Sequence, residues 1–252
     1  MPLSPARDFG VQSYCFRNFK DNAKVAELTK QIGVKKIELC AIHADFDDPD
    51  AFKRVLDIYR AAGVEVISIG VQTFVGDLAR EKKWFQCAKA AGARHISAHF
   101  TVGTFNDAVP AVARLCDEFD IRIGIHCHGG YMFGGSPDVL ELLCKLGGPK
   151  IGLNIDTAWC MQIGPKGDPI QWVRERFKGK IFGVHYKDFV FDRRAQWTDV
   201  VVGTGNLDLP GFVKALEETN FDGMAVIEYE ADPENPVPAL TDCVKKMRAL
   251  AP

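Results

Sequence analysis

The chain has 252 residues, of which 47% are hydrophobic and 25% are charged, and this composition suits one large globular domain. Its formal net charge of −2 gives no electrostatic reason to expect a nucleic acid or an anionic membrane as a partner. The eight cysteines are scattered without a CxxC pair, so we interpret most of them as buried thiols.

No segment approaches the roughly 18 to 20 apolar residues of a membrane span, and the start MPLSPARDFG lacks the apolar stretch of a signal peptide. We therefore expect a cytoplasmic protein that has no membrane partner. Small polar molecules are the class of ligand that the composition leaves open. A homo-oligomer is also left open.

Short runs rich in β-branched residues alternate along the chain with segments that have the apolar spacing of helices. The insertion FVFDRRAQWTDVVVGTG lengthens one of the otherwise regular intervals between strand starts. The predicted strands are 9–16, 34–40, 64–71, 93–100, 121–128, 151–158, 180–189 and 223–230. The predicted helices are about 22–32, 49–62, 77–91, 107–118, 137–146, 169–178, 209–219 and 237–249.

Capping residues mark the ends of many predicted helices. Ser136 and Asp168 each precede a proline at a helix start, where a side-chain oxygen can accept a backbone N–H. Gly33, Gly63 and Gly92 stand where helices end.

Eight strand–helix units in about 250 residues predict an α/β fold, the closed (β/α)8 TIM barrel, as a single domain over residues 1–252. The alternative is an open doubly wound sheet, which usually carries a glycine-rich phosphate turn after its first strand. The sequence YCFRNFKDN at that position is no such turn. In a barrel, functional residues collect at the carboxyl ends of the strands.

Polar residues are concentrated at those predicted strand ends. His126, Asp156, His185 and Glu228 supply one side chain each from strands five to eight. Unpaired imidazoles and carboxylates are costly inside a barrel, so their convergence favours a shared divalent cation. The alternative is a buried polar network without a metal.

These residues resemble the xylose isomerase-like barrels, a family of sugar phosphate isomerases and epimerases. The resemblance implies a TIM barrel with one divalent metal ion held by Glu, Asp, His and Glu from strands five to eight. His126 replaces the first glutamate, and Trp159 stands where ketose epimerases often have a histidine. The motifs that carry the resemblance are IELC, IHCHGG, NIDTAW, VHYKDF, VGTGNLDLPGF and VIEYE.

With a histidine at the first position, the ligands carry a charge of about −2 instead of about −3, and the bound ion should be a stronger Lewis acid. Nitrogen ligands favour Mn2+, which is our first prediction, or Co2+, Zn2+ or Fe2+. Mg2+ stays a further candidate, although it prefers oxygen ligands.

The resemblance also implies a metal-dependent sugar isomerase or epimerase that acts on a hydroxy-carbonyl carbohydrate through an enediolate. We expect Glu228 to remove a proton, His128 to carry a second proton, and Lys187 to stabilise an oxyanion, unless Lys187 forms an ion pair instead. The missing glutamate keeps a lyase or dehydratase acting on a keto-sugar as the alternative.

Four further residues are predicted to contact the substrate: Glu38, His99, Trp159 and Arg193. Glu38 could instead pair with a cation, and Arg193 could be a solvated loop residue. Gly203 and Gly205 form a weak phosphate signal before a helix. Two rival functions are a DNA-repair nuclease, which needs more metal ligands, and a sugar-binding barrel without activity.

Overall fold

A computed structural model describes residues 4–128 and 133–251 of the chain. Residues 129–132, which include the last two positions of the IHCHGG motif, lie outside the described residues. Within the described part, the strands are β1 Gly10–Gln12, β2 Lys36–Glu38, β3 Glu65–Ser68, β4 Val71–Phe74, β5 His95–Phe100, β6 Arg122–His126, β7 Ile151–Asp156, β8 Ile181–Tyr186, β9 Asp188–Phe191, β10 Trp197–Val200 and β11 Met224–Ile227.

The strands form the barrel that the sequence predicts. Nine of them make one parallel sheet in the order β3-β2-β1-β11-β8-β7-β6-β5-β4. The two ends of this order, β3 and β4, follow each other in the chain and are separated only by Ile69 and Gly70. They therefore occupy one strand position of the barrel, and the chain between them closes it.

The predicted strand 64–71 is thus bent. Gly70 has a φ of +63°, and a Cβ there would lie 2.5 Å from the carbonyl oxygen of Leu39. Only glycine adopts this conformation beside a neighbouring backbone at low cost. The bend lets β3 pair with β2 while β4 pairs with β5.

Helices cover the outside of the barrel. Ser136 and Asp168 cap helices as predicted, each accepting hydrogen bonds from backbone N–H groups of the first turn. A five-residue π-helix, Trp172–Arg176, continues the short α7. The α-helices are α1 Asn22–Gln31, α2 Pro49–Ala61, α3 Leu78–Ala91, α4 Phe105–Phe119, α5 Pro137–Gly147, α6 Thr157–Gln162, α7 Pro169–Gln171, α8 Leu209–Glu218 and α9 Val237–Arg248.

Most predicted strands extend beyond the observed ones, and three of them give way to another element. The strand predicted over 9–16 ends at Gln12 and gives way to a 3-10 helix, Ser13–Phe16. The strand predicted over 151–158 ends at Asp156, whose side chain caps α6. The strand predicted over 180–189 ends at Tyr186, and the insertion that follows forms the antiparallel hairpin β9–β10.

The cysteines agree with the prediction from the sequence that most of them are buried thiols. All eight cysteines are free thiols, and all but the half-buried Cys40 are buried. None of the described helices has the length and apolar character needed to cross a membrane.

Candidate metal centre and active site

The carboxyl ends of β6, β7, β8 and β11 bring together the four predicted metal ligands. Ligand atoms of His126, Asp156, His185 and Glu228 all lie within 4.8 Å of one another, and all four residues are buried. His126 Nε2 is 3.6 Å from Asp156 Oδ2, and His185 Nδ1 is 3.2 Å from Glu228 Oε2. Ligands that bind one ion at roughly 2.0–2.2 Å are themselves roughly 3 to 4 Å apart, so these distances fit a single cation.

The unpaired atoms of this cluster fit the same interpretation. Both ring nitrogens of His126 and Oδ2 of Asp156 are buried without a hydrogen-bond partner among the described residues. Burial lowers the pKa of His126 well below its usual range, so the ring is neutral and can offer a lone pair. Burial also raises the pKa of Asp156 to about 6, against the opposing effect of Lys187. A divalent cation would satisfy both residues.

The two carboxylate oxygens of Asp156, at the end of β7, make different contacts. Its Oδ1 accepts hydrogen bonds from the backbone N–H groups of Ala158 and Trp159, both at 3.0 Å, and so caps α6. This contact leaves Oδ2 to face His126. The NIDTAW motif therefore combines a helix cap and a candidate metal ligand in one carboxylate.

His185 is oriented by Glu38, which we had predicted to contact the substrate. Glu38 is fully buried, and its Oε2 lies 2.7 Å from His185 Nε2. Ser68 and Ser97 donate to its Oε1 at 2.8 and 2.7 Å, and Gln12 donates to Oε2 at 2.8 Å. The structure therefore places Glu38 behind the candidate ligand His185, where it leaves the Nδ1 atom of that ring to face the cluster.

His185 and Glu38 stabilise the charged form of each other. Although burial opposes its charge, Glu38 and Glu228 raise the pKa of His185 well above its usual range. Burial likewise opposes the charge of Glu38, but His185 keeps the pKa of that carboxyl below its usual value. Glu38 is therefore an ionised acceptor that fixes the histidine ring, and a metal at Nδ1 of His185 would take the place of the proton there.

Lys187 lies among three carboxylates. Its Nζ pairs with Glu230 and is 3.8 Å from both Glu228 and Asp199. Although burial opposes its charge, Glu228 and Asp156 raise the pKa of Lys187 above its usual value. The ion pair with Glu230, which the sequence left as the alternative role, is present, and the described lining of the cavity beside the cluster does not include Lys187.

A cavity of about 360 Å³ opens at the four-residue cluster. The rings of His128 and Trp159 are 4.3 Å apart between centroids, and those of His99 and His126 are 5.4 Å apart. Burial lowers the pKa of His99 to about 3, so this ring is neutral. The described residues that line the cavity are Gln12, Tyr14, Cys40, Ala41, Ile42, Val71, His99, His126, His128, Trp159, Glu228 and Glu230.

The β9–β10 hairpin supports one wall of this cavity. Trp159 packs against Phe189 and Trp197, each with ring centroids 5.2 Å from its own. Arg193 is exposed in the turn of the hairpin and is not among the residues that line the cavity. The structure therefore brings Trp159, but not Arg193, to the position predicted for a substrate contact.

The glycine loop that carried the weak phosphate signal binds a carboxylate of the chain itself. The backbone N–H groups of Gly203 and Gly205 donate to Asp188 Oδ2 at 3.0 and 2.8 Å, and that of Leu207 donates to Oδ1 at 2.9 Å. These donors are not available to a substrate phosphate.

Sequence reasoning missed the residues that support the cluster from other strands. Gln12 and Ser97 carry no motif, and only their places on β1 and β5 bring them to Glu38. Asp199 lies in the insertion, where its Oδ2 accepts the backbone N–H of Glu230 at 2.8 Å. The alternation of Glu228 and Glu230 on one strand was the one signal in the sequence for the Lys187 pair.

The family model described as xylose isomerase-like TIM barrel matches residues 26–250. The chain is 29% identical over 141 residues to the rhizopine catabolism protein MocC of Rhizobium meliloti, covering 50% of this chain and 42% of that protein. It is 25% identical over 156 residues to inosose dehydratase of Lacticaseibacillus casei, covering 54% and 50%. The chain thus matches half or less of the length of these curated relatives.

Solved structures share the fold over nearly the whole chain. A xylose isomerase-like barrel from Mycobacterium smegmatis in complex with magnesium has a TM-score of 0.79 at 11% identity, covering 99% and 98% of the two chains. The IOLI protein with a bound zinc atom has a TM-score of 0.74 at 15% identity, covering 95% and 96%. The 3-keto-D-glucoside 4-epimerase YcjR of E. coli has a TM-score of 0.73 at 15% identity, covering 96% and 99%. At these identities the likeness extends to the fold alone.

Proposed function

Because the chain belongs to the xylose isomerase-like TIM barrel family, we propose that it is a divalent-metal-dependent enzyme that isomerises or epimerises a hydroxy-carbonyl carbohydrate through an enediolate. The observation that carries the proposal is the cluster of four buried ligand atoms at a cavity lined by imidazoles and carboxylates. Named members of the wider fold include an epimerase and a dehydratase, which supports sugar chemistry at such a site.

His126, Asp156, His185 and Glu228 are the residues that would hold the metal. A divalent cation supplies Lewis acidity, which polarises adjacent carbonyl and hydroxyl oxygens of a substrate and acidifies the proton on the α-carbon. Two imidazoles and two carboxylates suit Mn2+, Co2+, Fe2+ or Zn2+, and manganese remains our first prediction. The magnesium and zinc found in two structural neighbours support a divalent ion without selecting one.

Glu228 is the residue that we assign to remove the α-proton. It lines the cavity. Burial opposes its charge, but Lys187 and His185 hold the pKa of Glu228 well below its usual range, so the carboxylate is ionised and can accept a proton. Lys187 acts through this carboxylate: its ammonium pairs with Glu230 and keeps Glu228 charged.

His128 is the residue that we assign to the second proton transfer. It lines the same cavity and packs against Trp159, which gives the imidazole a fixed wall. An imidazole has one nitrogen that can accept a proton and one that can donate a proton, as this role requires. Return of a proton to the enediolate completes an isomerisation or an epimerisation.

Dehydration of a keto-sugar is the second candidate. Among the described residues, Glu228 is the only carboxylate that both belongs to the four-residue cluster and lines the cavity, while β6 and its end present His126 and His128. One carboxylate base and one imidazole acid suit removal of an α-proton by Glu228 and departure of the β-hydroxyl as water with a proton from His128. The inosose dehydratase relative supports this candidate.

Solvent exchange tests the proposal directly. Protein loaded with Mn2+ or Zn2+ is incubated in D2O with a panel of ketoses and keto-cyclitols, and the α-proton signal is followed by NMR. We expect loss of that signal, and an epimer, an isomer or an unsaturated product identifies the outcome. The absence of exchange with every compound would contradict the proposal.

A pair of variants assigns the exchange to the site. Glu228→Gln should reduce the exchange rate by roughly 100-fold or more, with the metal content of each sample measured so that loss of the base is separated from loss of the ligand. Glu234→Gln, which changes an exposed glutamate outside the cavity, is the matched control.

A further inference from the structure

The charges around the cavity indicate what class of carbohydrate fits it. None of the described lining residues is a lysine or an arginine, whereas two of them, Glu228 and Glu230, are acidic. Residues 1–3, 129–132 and 252 contain no lysine or arginine in the sequence. All the lysine and arginine side chains of the chain therefore lie in its described part, and none of them lines this cavity.

Two cations lie close to the lining, and both are engaged by the protein. Lys187 lies among the carboxylates of Glu228, Glu230 and Asp199. Arg17 donates to the backbone carbonyl of Glu230 at 2.6 Å and to that of Tyr14 at 3.3 Å. The charge of Lys187 is therefore paired with carboxylates, and two N–H groups of Arg17 are held by backbone carbonyls.

The other anion-binding features near the barrel mouth are either occupied by the protein or lie outside the cavity lining. The N–H groups of the glycine loop bind Asp188, and Arg193 is exposed in its hairpin turn. A second cavity of about 400 Å³ shares Ala41 and Ile42 with the first and is lined by Arg80. Arg80 Nε lies 2.9 Å from both carboxylate oxygens of Asp47, so its charge is paired as well.

A bound divalent cation does not reverse this balance. Apart from Asp199, whose pKa is about 7, four carboxylates lie in or beside the cluster, and they outnumber the three positive charges of one lysine and one doubly charged ion. The four carboxylates are those of Glu38, Asp156, Glu228 and Glu230.

A phosphate group taken out of water needs charge-assisted hydrogen bonds to replace its hydration, and the described lining of this cavity holds no lysine or arginine to make them. Its uncharged wall, formed in part by Tyr14, Ile42, Val71 and Trp159, instead suits the C–H face of a sugar ring. Resting on the proposed function, we infer that the cavity accepts uncharged hydroxy-ketones and excludes their phosphate esters.

Matched pairs of compounds test this inference. Metal-loaded protein is incubated in D2O with D-fructose and D-fructose 6-phosphate, with D-ribulose and D-ribulose 5-phosphate, and with a neutral keto-cyclitol. The rate of α-proton exchange is measured by NMR and binding by calorimetry. We expect exchange and binding for at least one neutral compound, with a kcat/KM at least about 100-fold above that of its ester where an ester is tested.

The outcomes separate the inference from the proposed function. An ester that is exchanged as fast as its free sugar would overturn the inference and leave the proposed function standing. A neutral compound that binds more tightly than its ester without exchange would support the inference and contradict the proposed chemistry. Failure of every compound to bind or exchange would overturn both.

Charge variants test the electrostatic cause. Glu230→Gln removes one negative charge from the cavity wall, and Ile42→Arg adds a cation at a lining residue that is 37% exposed. Each variant should strengthen binding of the ester relative to binding of the free sugar by roughly tenfold, measured as the ratio of their dissociation constants. Glu234→Gln should leave that ratio unchanged. An unchanged ratio in both folded cavity variants would contradict the electrostatic cause.

Discussion

Glu38 is a buried carboxylate that can support the proposed metal site from behind one of its candidate ligands. It accepts four hydrogen bonds and fixes the ring of His185. Partners that orient metal-binding histidines typically contribute 10- to 100-fold in metal affinity. We therefore expect Glu38→Gln to weaken Mn2+ or Zn2+ binding by roughly 10- to 100-fold, as measured by calorimetry. The control is Glu65→Gln at the exposed start of β3, and equal affinity in both variants would refute the role.

At the residue scale, strand alternation could predict which side chains meet, but not how deeply each one lies. His126, Asp156, His185 and Glu228 were placed together from their strand ends alone, and the structure brings them together. Glu38 was expected to face the substrate, but the structure buries it. The pairing of β2 with β3 shifts in register between Ile37 and Glu38, and no local pattern in the sequence encodes such a shift.

The loop that precedes α8 is held in place by hydrogen bonds from its backbone to the carboxylate of Asp188. A Cβ on Gly205 would lie 2.5 Å from Asp188 Oδ1 and 2.6 Å from the backbone oxygen of Phe189. Gly205→Ala should therefore displace Asp188 from its backbone donors and lower the free energy of unfolding by about 1–3 kcal/mol, measured by urea denaturation. Gly103→Ala, where a Cβ meets nothing within 4 Å, should change it by less than about 0.5 kcal/mol. Similar values for the two variants would show that the loop tolerates a side chain.

The β9–β10 hairpin contributes a titrating group, Asp199. Burial raises its pKa to about 7, against the opposing effect of Lys187, whereas the value in the unfolded chain is about 3.9. The folded protein therefore binds the Asp199 proton more tightly than the unfolded chain does. The stability that Asp199 contributes is full below about pH 4 and is lost as the pH rises to about 7.

Asp199→Asn cannot lose that proton. Its free energy of unfolding relative to the wild type should therefore increase between about pH 4 and pH 7 and stay level above that range. Urea denaturation at several pH values measures this difference. Asp107→Asn, in the exposed first turn of α4, is the control. A parallel trend in both variants would contradict the assignment to Asp199.

For the whole molecule, the spacing of strands and helices was sufficient to predict a closed barrel, because each strand–helix unit buries its apolar face against its neighbours. The matching family and the nine-stranded parallel sheet confirm that prediction. The hairpin could not be predicted in the same way. Its position depends on the contacts of Phe189 and Trp197 with Trp159, which lies on a different element, α6.

Metal binding should raise the thermal stability of the whole barrel. An ion that binds only the folded state adds about 2.7 kcal/mol at 100 times its dissociation constant, which corresponds to a rise in Tm of roughly 5 to 11 °C for a protein of this size. We expect this rise with Mn2+, Co2+ or Zn2+ and its loss with a chelator. Asp156→Asn is the discriminating variant because the amide oxygen can keep the cap on α6 while the charge that faces His126 is removed. It should fold and show a much smaller rise. An equal rise in the variant would place the bound ion elsewhere in the molecule.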